Sequence, residues 1–208
     1  MIDVYLIRHA ECENNCLRER IWGQTNSSPL TKYGEIQAEA LEKRLRMEGV
    51  VFDAVYSSPA IRALETIVRV APYYVKDKII IAPELQEIDQ GKWTGKLRSE
   101  IYTPEQIAII NKDNWNFAAP EGESQAQVGS RVYRVVEEAV IHSPKKIKNV
   151  GFSMHGISIK CLLSLLLRSD KSMTWRWEID NASITQFRYE QNVWWPIRIN
   201  DSAHIREI

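Results

Sequence analysis

An arginine and a histidine stand together where an apolar segment ends near the start of the chain. Residues 4–7 read Val-Tyr-Leu-Ile, and Arg8 and His9 follow directly. An imidazole can act as a nucleophile or carry a proton, and a guanidinium presents a planar fork of donors that matches phosphoryl oxygens. Open α/β sheets bind ligands beyond the carboxyl ends of their strands. The pattern therefore predicts a functional site at a strand end.

Two further apolar segments end in residues of the same kinds. Residues 149–152 lead through Ser and Met to His155, and residues 53–56 are followed by Ser58, Pro59 and Arg62. Ser58 suits a helix N-cap and Pro59 the first helical position, which predicts Arg62 in the first turn of a helix. A single such histidine is more often a packed residue than a catalyst. Two histidines and two arginines at three strand ends favour one shared site.

The chain resembles the histidine phosphatase superfamily, also called the phosphoglycerate mutase-like family, over nearly its whole length. No block of the resemblance is specific by itself, but six of them occur in family order. They are Arg8-His9-Ala10-Glu11, residues 29–34, Ser57-Ser58-Pro59 with Arg62-Ala63, Leu85-Gln86-Glu87 with residues 91–95, residues 120–124, and His155-Gly156.

The resemblance implies a role for each candidate catalytic residue. His9 would attack phosphorus and carry a phosphohistidine, which divides one difficult step into two easier ones. Arg8, Arg62 and His155 would bind the phosphoryl oxygens. The family position of the proton donor is Glu87, which would act as general acid and then as general base.

Two more candidate residues belong to the same interpretation. Asn15 matches a frequent pocket asparagine of the family and is a candidate substrate-binding residue. Asp89 competes with Glu87 as the acid, and either carboxylate could instead be an exposed loop residue.

The resemblance implies a metal-independent phosphatase that hydrolyses a small phosphomonoester, with no cofactor. Two alternatives stay open: a phosphoglycerate-type mutase and a catalytically weak phosphate-binding or scaffold member. Mutase branches carry arginine after the acidic residue, whereas Ile88 and Asp89 follow Glu87 in this chain. His9, Cys12 and Cys16 could form a metal corner, but no fourth ligand has sensible spacing, so we expect no metal.

Several positions depart from the family pattern. Ala10 replaces a glycine whose carbonyl holds the imidazole, so the same hydrogen bond requires a negative φ at Ala10. Cys12 replaces a hydroxyl residue and is a weaker donor. Met154 replaces a common serine and removes a hydroxyl from the expected pocket wall, and Lys92 and Thr94 make a nearby loop less acidic.

Composition favours a single domain spanning residues 1–208. Lys plus Arg number 27, as do Asp plus Glu, so no excess positive charge attracts nucleic acid, and the longest leucine-rich run is too short to span a membrane. Asp3 and Arg8 interrupt any signal-like start, so we expect the mature protein to begin at Met1. Three cysteines favour a reducing, cytoplasmic location. The expected partner is a small phosphorylated metabolite.

The alternation of elements predicts an α/β fold. We expect a three-layer α/β/α sandwich with a mostly parallel sheet and an antiparallel edge strand. The predicted strands cover residues 3–7, 54–56, 78–81, 148–152, 183–188 and 194–200. The predicted helices cover residues 32–48, 59–71, 125–142 and 157–167.

Substrate choice is expected to lie between the catalytic blocks. Residues 96–119 form a predicted lid, whose aromatic and basic residues include Tyr102, Trp115 and Phe117. The same residues could equally form an exposed helix with stray aromatics. For Trp175, Trp177, Trp194 and Trp195, core packing or a homodimer contact is favoured over ligand stacking.

Overall fold

The apolar segments of the sequence form one six-stranded sheet in the order β3-β2-β4-β1-β5-β6. The structure is a computed structural model that describes residues 1–73, 78–143, 147–206 and 208. The strands are β1 (Ile2–Arg8), β2 (Ala54–Ser57), β3 (Ile80–Ile81), β4 (Asn149–Met154), β5 (Ile184–Glu190) and β6 (Val193–Asp201).

Strand direction confirms a mostly parallel sheet. β3, β2, β4 and β1 run parallel, whereas β5 is antiparallel to both β1 and β6. The antiparallel strand is therefore β5, which lies next to the edge of the sheet. β5 forms a hairpin with β6, and β6 is the edge strand. Gln191 and Asn192 make the tight turn with φ of 52° and 61°. Two left-handed residues in succession match the twist that a two-residue hairpin turn needs.

Seven α-helices occur in the described part of the chain. The four long predicted helices are present, with ends within two residues of those expected. Of the three shorter helices, the first was not predicted, and the fourth and fifth lie within residues 96–119, for which a lid or an exposed helix was expected. The helices are α1 (Glu13–Cys16), α2 (Lys32–Met47), α3 (Ile61–Val70), α4 (Arg98–Ile101), α5 (Pro104–Lys112), α6 (Gln125–Ile141) and α7 (Gly156–Leu166).

The prediction that Ser58 is the N-cap of α3 is wrong. The chain stays extended through Ala60, which is the N-cap and has φ −63° and ψ 133°. The Ser58 hydroxyl instead accepts a bond from the Ala60 backbone N–H at 3.3 Å and lies 2.8 Å from His155 Nε2. Arg62 remains in the first turn of α3.

Hydrophobic layers cover both faces of the sheet. Val4 and Leu6 of β1 pack with α6 and α7, and the alternate residues Tyr5 and Ile7 pack with α2 and α3. Successive side chains of a strand point to opposite faces, so β1 contributes to both layers. The arrangement is the expected three-layer sandwich. Among the described residues, no helix combines the length and apolar character that a membrane crossing requires.

The aromatic residues of the second half divide between core and surface. Trp177, Trp194 and Trp115 pack against the core formed with α6 and α7. Trp175 and Trp195 are 49% and 54% exposed. Trp115 was expected among the lid residues but packs against the core. The Lys171 Nζ atom lies 4.7 Å from the centroid of the Trp115 ring.

Gly34 allows the start of α2 to approach the segment that follows His9. A Cβ added at Gly34 would lie 2.0 Å from the backbone oxygen of Glu11. The Thr31 hydroxyl accepts a bond from the Gly34 N–H at 2.9 Å and donates to Glu11 Oε1 at 2.8 Å. The N-terminus of α2 thereby fixes the chain two residues beyond His9.

We predict that Gly34→Ala destabilises the protein. In an ordinary helix interior this change stabilises by about 1 kcal/mol, but at this position the methyl group would collide with backbone, and we expect a loss of about 1–3 kcal/mol. Denaturant unfolding measures the difference. Glu39→Ala, on the exposed side of α2, is the control and should change stability by less than about 0.5 kcal/mol. A Gly34→Ala protein more stable than the wild type would contradict the contact.

Candidate active site

Strand register brings His9 and His155 side by side. Arg8 of β1 pairs with Met154 of the parallel strand β4, so the next residue of each strand is a histidine. The His9 backbone N–H donates to the Met154 carbonyl at 3.0 Å, and the two ring centroids are 5.1 Å apart. The two strand-end histidines therefore share one site, as the sequence indicated.

The His9 ring is held with its proton on Nδ1. Nδ1 lies 2.8 Å from the Ala10 carbonyl oxygen. A carbonyl only accepts, so Nδ1 donates and the neutral ring keeps its lone pair on Nε2. Ala10 is not among the described residues with positive φ, and its methyl group does not disturb this bond. Arg62 Nε donates to the Nε2 lone pair at 3.3 Å.

Burial keeps both imidazoles uncharged. The pKa of His9 lies well below 6.5 because burial disfavours the charged form and because Arg62 and Arg8 repel it, although the bond to Ala10 acts in the opposite direction. The pKa of His155 is lowered in the same way, by burial first and then by Arg62 and His9. A neutral His9 can use its Nε2 lone pair as a nucleophile.

Arg62 is almost fully buried, and its guanidinium has three hydrogen-bond partners. Besides the bond to His9, its guanidinium donates to the carbonyls of Thr25 and Gly23. Burial lowers its pKa, partly offset by Cys12 and Glu87. The bonds to residues 23 and 25 attach the long loop after α1 to the site.

Arg8 and His155 each retain a buried nitrogen without a protein partner among the described residues. Arg8 donates to the Ile179 carbonyl through Nη1, but its Nε has no partner. His155 is fully buried at the N-cap of α7, where Ser58 occupies Nε2 and Nδ1 has no partner. Such groups are costly to bury unpaired, so they are suited to an anionic ligand.

Glu87 lies at the N-terminus of α7. Its Oε2 accepts from the Ile157 backbone N–H at 3.1 Å and its Oε1 from Ile88 at 2.9 Å. Glu87 lines the cavity that contains His9, whereas Asp89 is not one of the lining residues. Asp89 Oδ1 accepts from the Gly91 N–H at 2.8 Å within its own loop. The geometry therefore favours Glu87 over the competing carboxylate.

Asn15 lies at the cavity wall, but its amide oxygen is occupied. It accepts from the Cys12 backbone N–H at 3.1 Å, from the Cys12 thiol at 3.3 Å and from Asn181 Nδ2 at 3.1 Å. The Cys12 thiol, which replaces the expected hydroxyl, therefore forms a hydrogen bond within the N-terminal cap of α1. The Asn15 amide N–H groups remain to contact a ligand. Met154, expected at the pocket wall, is fully buried in the core.

Sequence reasoning missed two groups that position the site. Asn181 Nδ2 donates to the His9 carbonyl at 3.0 Å, and the Ala182 N–H donates to it at 3.2 Å. Arg131 donates to the carbonyls of residues 84, 86 and 87 and pairs with Glu123 at 2.8 Å. Glu123 in turn accepts from the Asp89 N–H at 3.1 Å. Glu123 belongs to the 120–124 block of the resemblance, but nothing in the sequence indicated that Arg131 of α6 would pair with it.

These residues border one cavity of about 550 Å³. Arg8, His9, Asn15, Arg62 and Glu87 line it, whereas His155, although adjacent to His9, is fully buried and is not one of the lining residues. Further arginines at positions 18, 20 and 98 also line the cavity, which makes it strongly basic. Within the described residues, no cluster of three or more His, Cys, Asp or Glu could hold a metal ion.

We predict that the two neutral imidazoles make stability fall in acid. Their folded-state pKa values lie below the unfolded value of about 6.5, so unfolding takes up protons at lower pH. Above about pH 6.5 the two rings do not reduce the free energy of unfolding. As the pH falls below that value, the free energy of unfolding decreases by up to about 1.4 kcal/mol per pH unit for each ring. Denaturant unfolding between pH 7.5 and 5 measures the slope.

His9→Gln and His155→Gln should each reduce that slope. His142→Gln, at an exposed position, controls for the loss of a histidine from the surface. Equal slopes in the wild type and both buried-site variants would contradict the neutral state of the pair.

Comparisons with known proteins identify the family of this chain. A family model described as "Histidine phosphatase superfamily (branch 1)" matches residues 4–202. A relative from Yersinia enterocolitica, named probable phosphoglycerate mutase GpmB, is 31% identical over 214 residues, covering 99% of this chain and 95% of the relative.

Two solved structures share the fold over their whole length. Bacillus stearothermophilus YhfR is 28% identical with a TM-score of 0.84, covering 99% of this chain and 100% of that one. A phosphoserine phosphatase from Entamoeba histolytica, solved with 3-phosphoglyceric acid, is 25% identical with a TM-score of 0.84 and the same coverage. The present chain belongs to the histidine phosphatase superfamily.

Proposed function

We propose that this protein is a phosphatase that hydrolyses a small phosphomonoester through a phosphohistidine on His9. The observation that carries the proposal is the neutral His9 ring, whose unprotonated Nε2 lies 3.3 Å from the Arg62 guanidinium. An anionic phosphoryl group would be attracted to the place where the nucleophile is held. The phosphatases among the relatives also support it.

In the first step, the Nε2 lone pair of His9 attacks phosphorus and the bond to the ester oxygen breaks. The positive charge that develops on the ring is stabilised through Nδ1–H by the Ala10 carbonyl, 2.8 Å away. Arg8, Arg62 and His155 donate to the phosphoryl oxygens and neutralise charge in the transition state. Arg8 Nε and His155 Nδ1 lack protein partners among the described residues, and both suit this task when the Ser58 hydroxyl donates to His155 Nε2 and leaves the proton on Nδ1.

Glu87 serves the leaving group. In its protonated form it gives a proton to the departing ester oxygen, and as carboxylate it then takes a proton from the water that attacks the phosphohistidine. The Ile157 N–H orients the carboxyl group at 3.1 Å. The second step releases inorganic phosphate and returns His9 and Glu87 to their starting states.

We predict that Glu87→Gln slows hydrolysis of alkyl phosphates by about 10²–10⁴-fold in kcat, because an alkoxide leaves poorly without a proton. Aryl phosphates, whose phenolate leaves easily, should be affected much less. Phosphate release measures both rates. Asp89→Asn is the matched control and should retain most activity on alkyl phosphates. The reverse ranking of the two variants would assign the acid to Asp89.

We predict that brief reaction with ³²P-labelled substrate, followed by quenching, leaves acid-labile, base-stable phosphate on the peptide that contains His9. His9→Ala should carry no label and should release no phosphate. Turnover of every phosphoester tested by His9→Ala at the wild-type rate would refute the catalytic account and favour a binding or scaffold role. The same assay with chelator tests the proposal that no metal is required.

A phosphoglycerate-type mutase is the second candidate, because the Yersinia enterocolitica relative carries that name. A mutase returns the phosphoryl group from the histidine to another hydroxyl of the substrate. Incubation with 3-phosphoglycerate separates the two functions: we expect phosphate release to exceed formation of 2-phosphoglycerate. Interconversion faster than release would establish the mutase.

Small phosphorylated metabolites are the proposed substrates, and a cytoplasmic location is proposed with them. The Entamoeba histolytica relative was solved with one such compound. Cys12, Cys16 and Cys161 are all free thiols, which suits a reducing compartment.

A further inference from the structure

A second cavity of about 310 Å³ adjoins the one that contains His9. The same five residues border both cavities, so the two spaces are neighbours across a shared wall. The five shared residues are Ile88, Gln90, Arg98, Tyr102 and Trp175. Trp175 is 49% exposed, and the sequence indicated no role for it in a site. We call the second cavity the annex.

Aromatic and aliphatic side chains make the wall of the annex. Trp93 stacks on Phe117 with ring centroids 5.6 Å apart and meets the edge of Tyr102 at 6.0 Å. Ile107 and Ile110 of α5 complete the apolar side. Rings that pack on one another are held in place and offer a preformed apolar surface.

The charges of the annex do not suit an anion. Its two charged lining residues are Arg98 and Glu123. Glu123 is paired with Arg131 at 2.8 Å, and Arg98 lies at the junction with its guanidinium 5.8 Å from the Tyr102 ring centroid. The annex therefore contrasts with the strongly basic cavity beside it, and the phosphoryl group belongs in the latter.

One buried acceptor in the annex lacks a donor. Gln125 lines the annex and is 2% exposed, and its Oε1 has no hydrogen-bond partner among the described residues. Leaving such an oxygen unpaired costs free energy, which a ligand that brings an N–H or O–H group would recover.

We propose that the annex binds a flat apolar ring carried by the leaving alcohol of the substrate, with an N–H or O–H on the ring donating to Gln125. The inference rests on the proposed phosphatase function and narrows its substrate class. The phosphate binds beside His9, the ester chain passes the junction formed by Arg98 and Trp175, and the ring enters the annex.

Pairs of alkyl phosphates with and without a terminal ring test the proposal. Indol-3-yl alkyl phosphates with spacers of three to five carbons are compared with the corresponding plain alkyl phosphates. The leaving oxygen is chemically alike within each pair, so a difference in kcat/KM reports binding of the ring. We expect the best indolyl compound to exceed its plain partner by about tenfold or more, which corresponds to about 1.4 kcal/mol.

Ile107→Asp should remove most of that preference and leave plain alkyl phosphates unaffected, since Ile107 does not line the cavity of His9. Ile109→Asp is the matched control, because Ile109 lies on the same helix, is 51% exposed and lines neither cavity. Equal kcat/KM for ringed and plain compounds, or a preference that survives Ile107→Asp, would overturn the proposal. The N-methylindole compounds should lose part of the gain, and full retention would exclude the contact with Gln125.

Binding of non-hydrolysable phosphonates tests the annex independently of the proposed phosphatase activity. Calorimetry with indolylalkyl and plain alkyl phosphonates needs no turnover. A ring preference in binding without phosphate release from any ester would reject the phosphatase and retain the annex. Phosphate release from all esters without a ring preference would reject the annex and retain the phosphatase.

Discussion

The hydrogen bond from His9 Nδ1 to the Ala10 carbonyl is the interaction on which the site depends. It fixes the tautomer and directs the Nε2 lone pair toward Arg62. The carbonyl is itself held by its neighbourhood, since the Ala10 N–H donates to the Thr66 hydroxyl at 2.9 Å and that hydroxyl donates to the Arg62 carbonyl at 2.7 Å. His9, the proposed nucleophile, and the Arg62 guanidinium are therefore positioned by one short chain of hydrogen bonds.

The second constraint is electrostatic. The buried Arg62 guanidinium, the half-buried Arg8 guanidinium and two neutral imidazoles meet beside one another, and removal from water lowers the pKa of each group. A dianionic phosphoryl group relieves the repulsion between the arginines and satisfies donors that otherwise lack partners among the described residues. The folded protein thus bears the free-energy cost of a preorganised site, and the proposed phosphoester substrate would supply the compensating charge.

Much of this could be predicted from sequence because it is local or periodic. Strand-end residues such as Arg8, His9 and His155 follow apolar segments, and parallel strands bring their carboxyl ends to one edge. The four long helices were predicted from the alternation of elements along the chain, with ends within two residues of those observed. Ser58 failed as an N-cap because α3 begins only after Ala60. The Ser58 hydroxyl contacts His155, 97 positions away, and no local pattern encodes that contact.

The remaining features depend on such long-range contacts. Asn181 reaches His9 from 172 positions away, and Arg131 supports the Glu87 loop from α6. The annex brings aromatic residues of separate loops together with α5, which lies in the segment expected to form either a lid or an exposed helix. Trp115 of that segment packs on the core, while Trp175 from a distant turn lines both cavities.

The proposed function depends most on the protonation state of His9, which nitrogen NMR of ¹⁵N-labelled histidine measures directly. At pH 7, in the absence of phosphate, the resonances lost in His9→Gln should show a protonated Nδ1 and an unprotonated, pyridine-like Nε2. A doubly protonated His9, or a proton on Nε2 instead of Nδ1, would contradict the assignment of His9 as a neutral nucleophile.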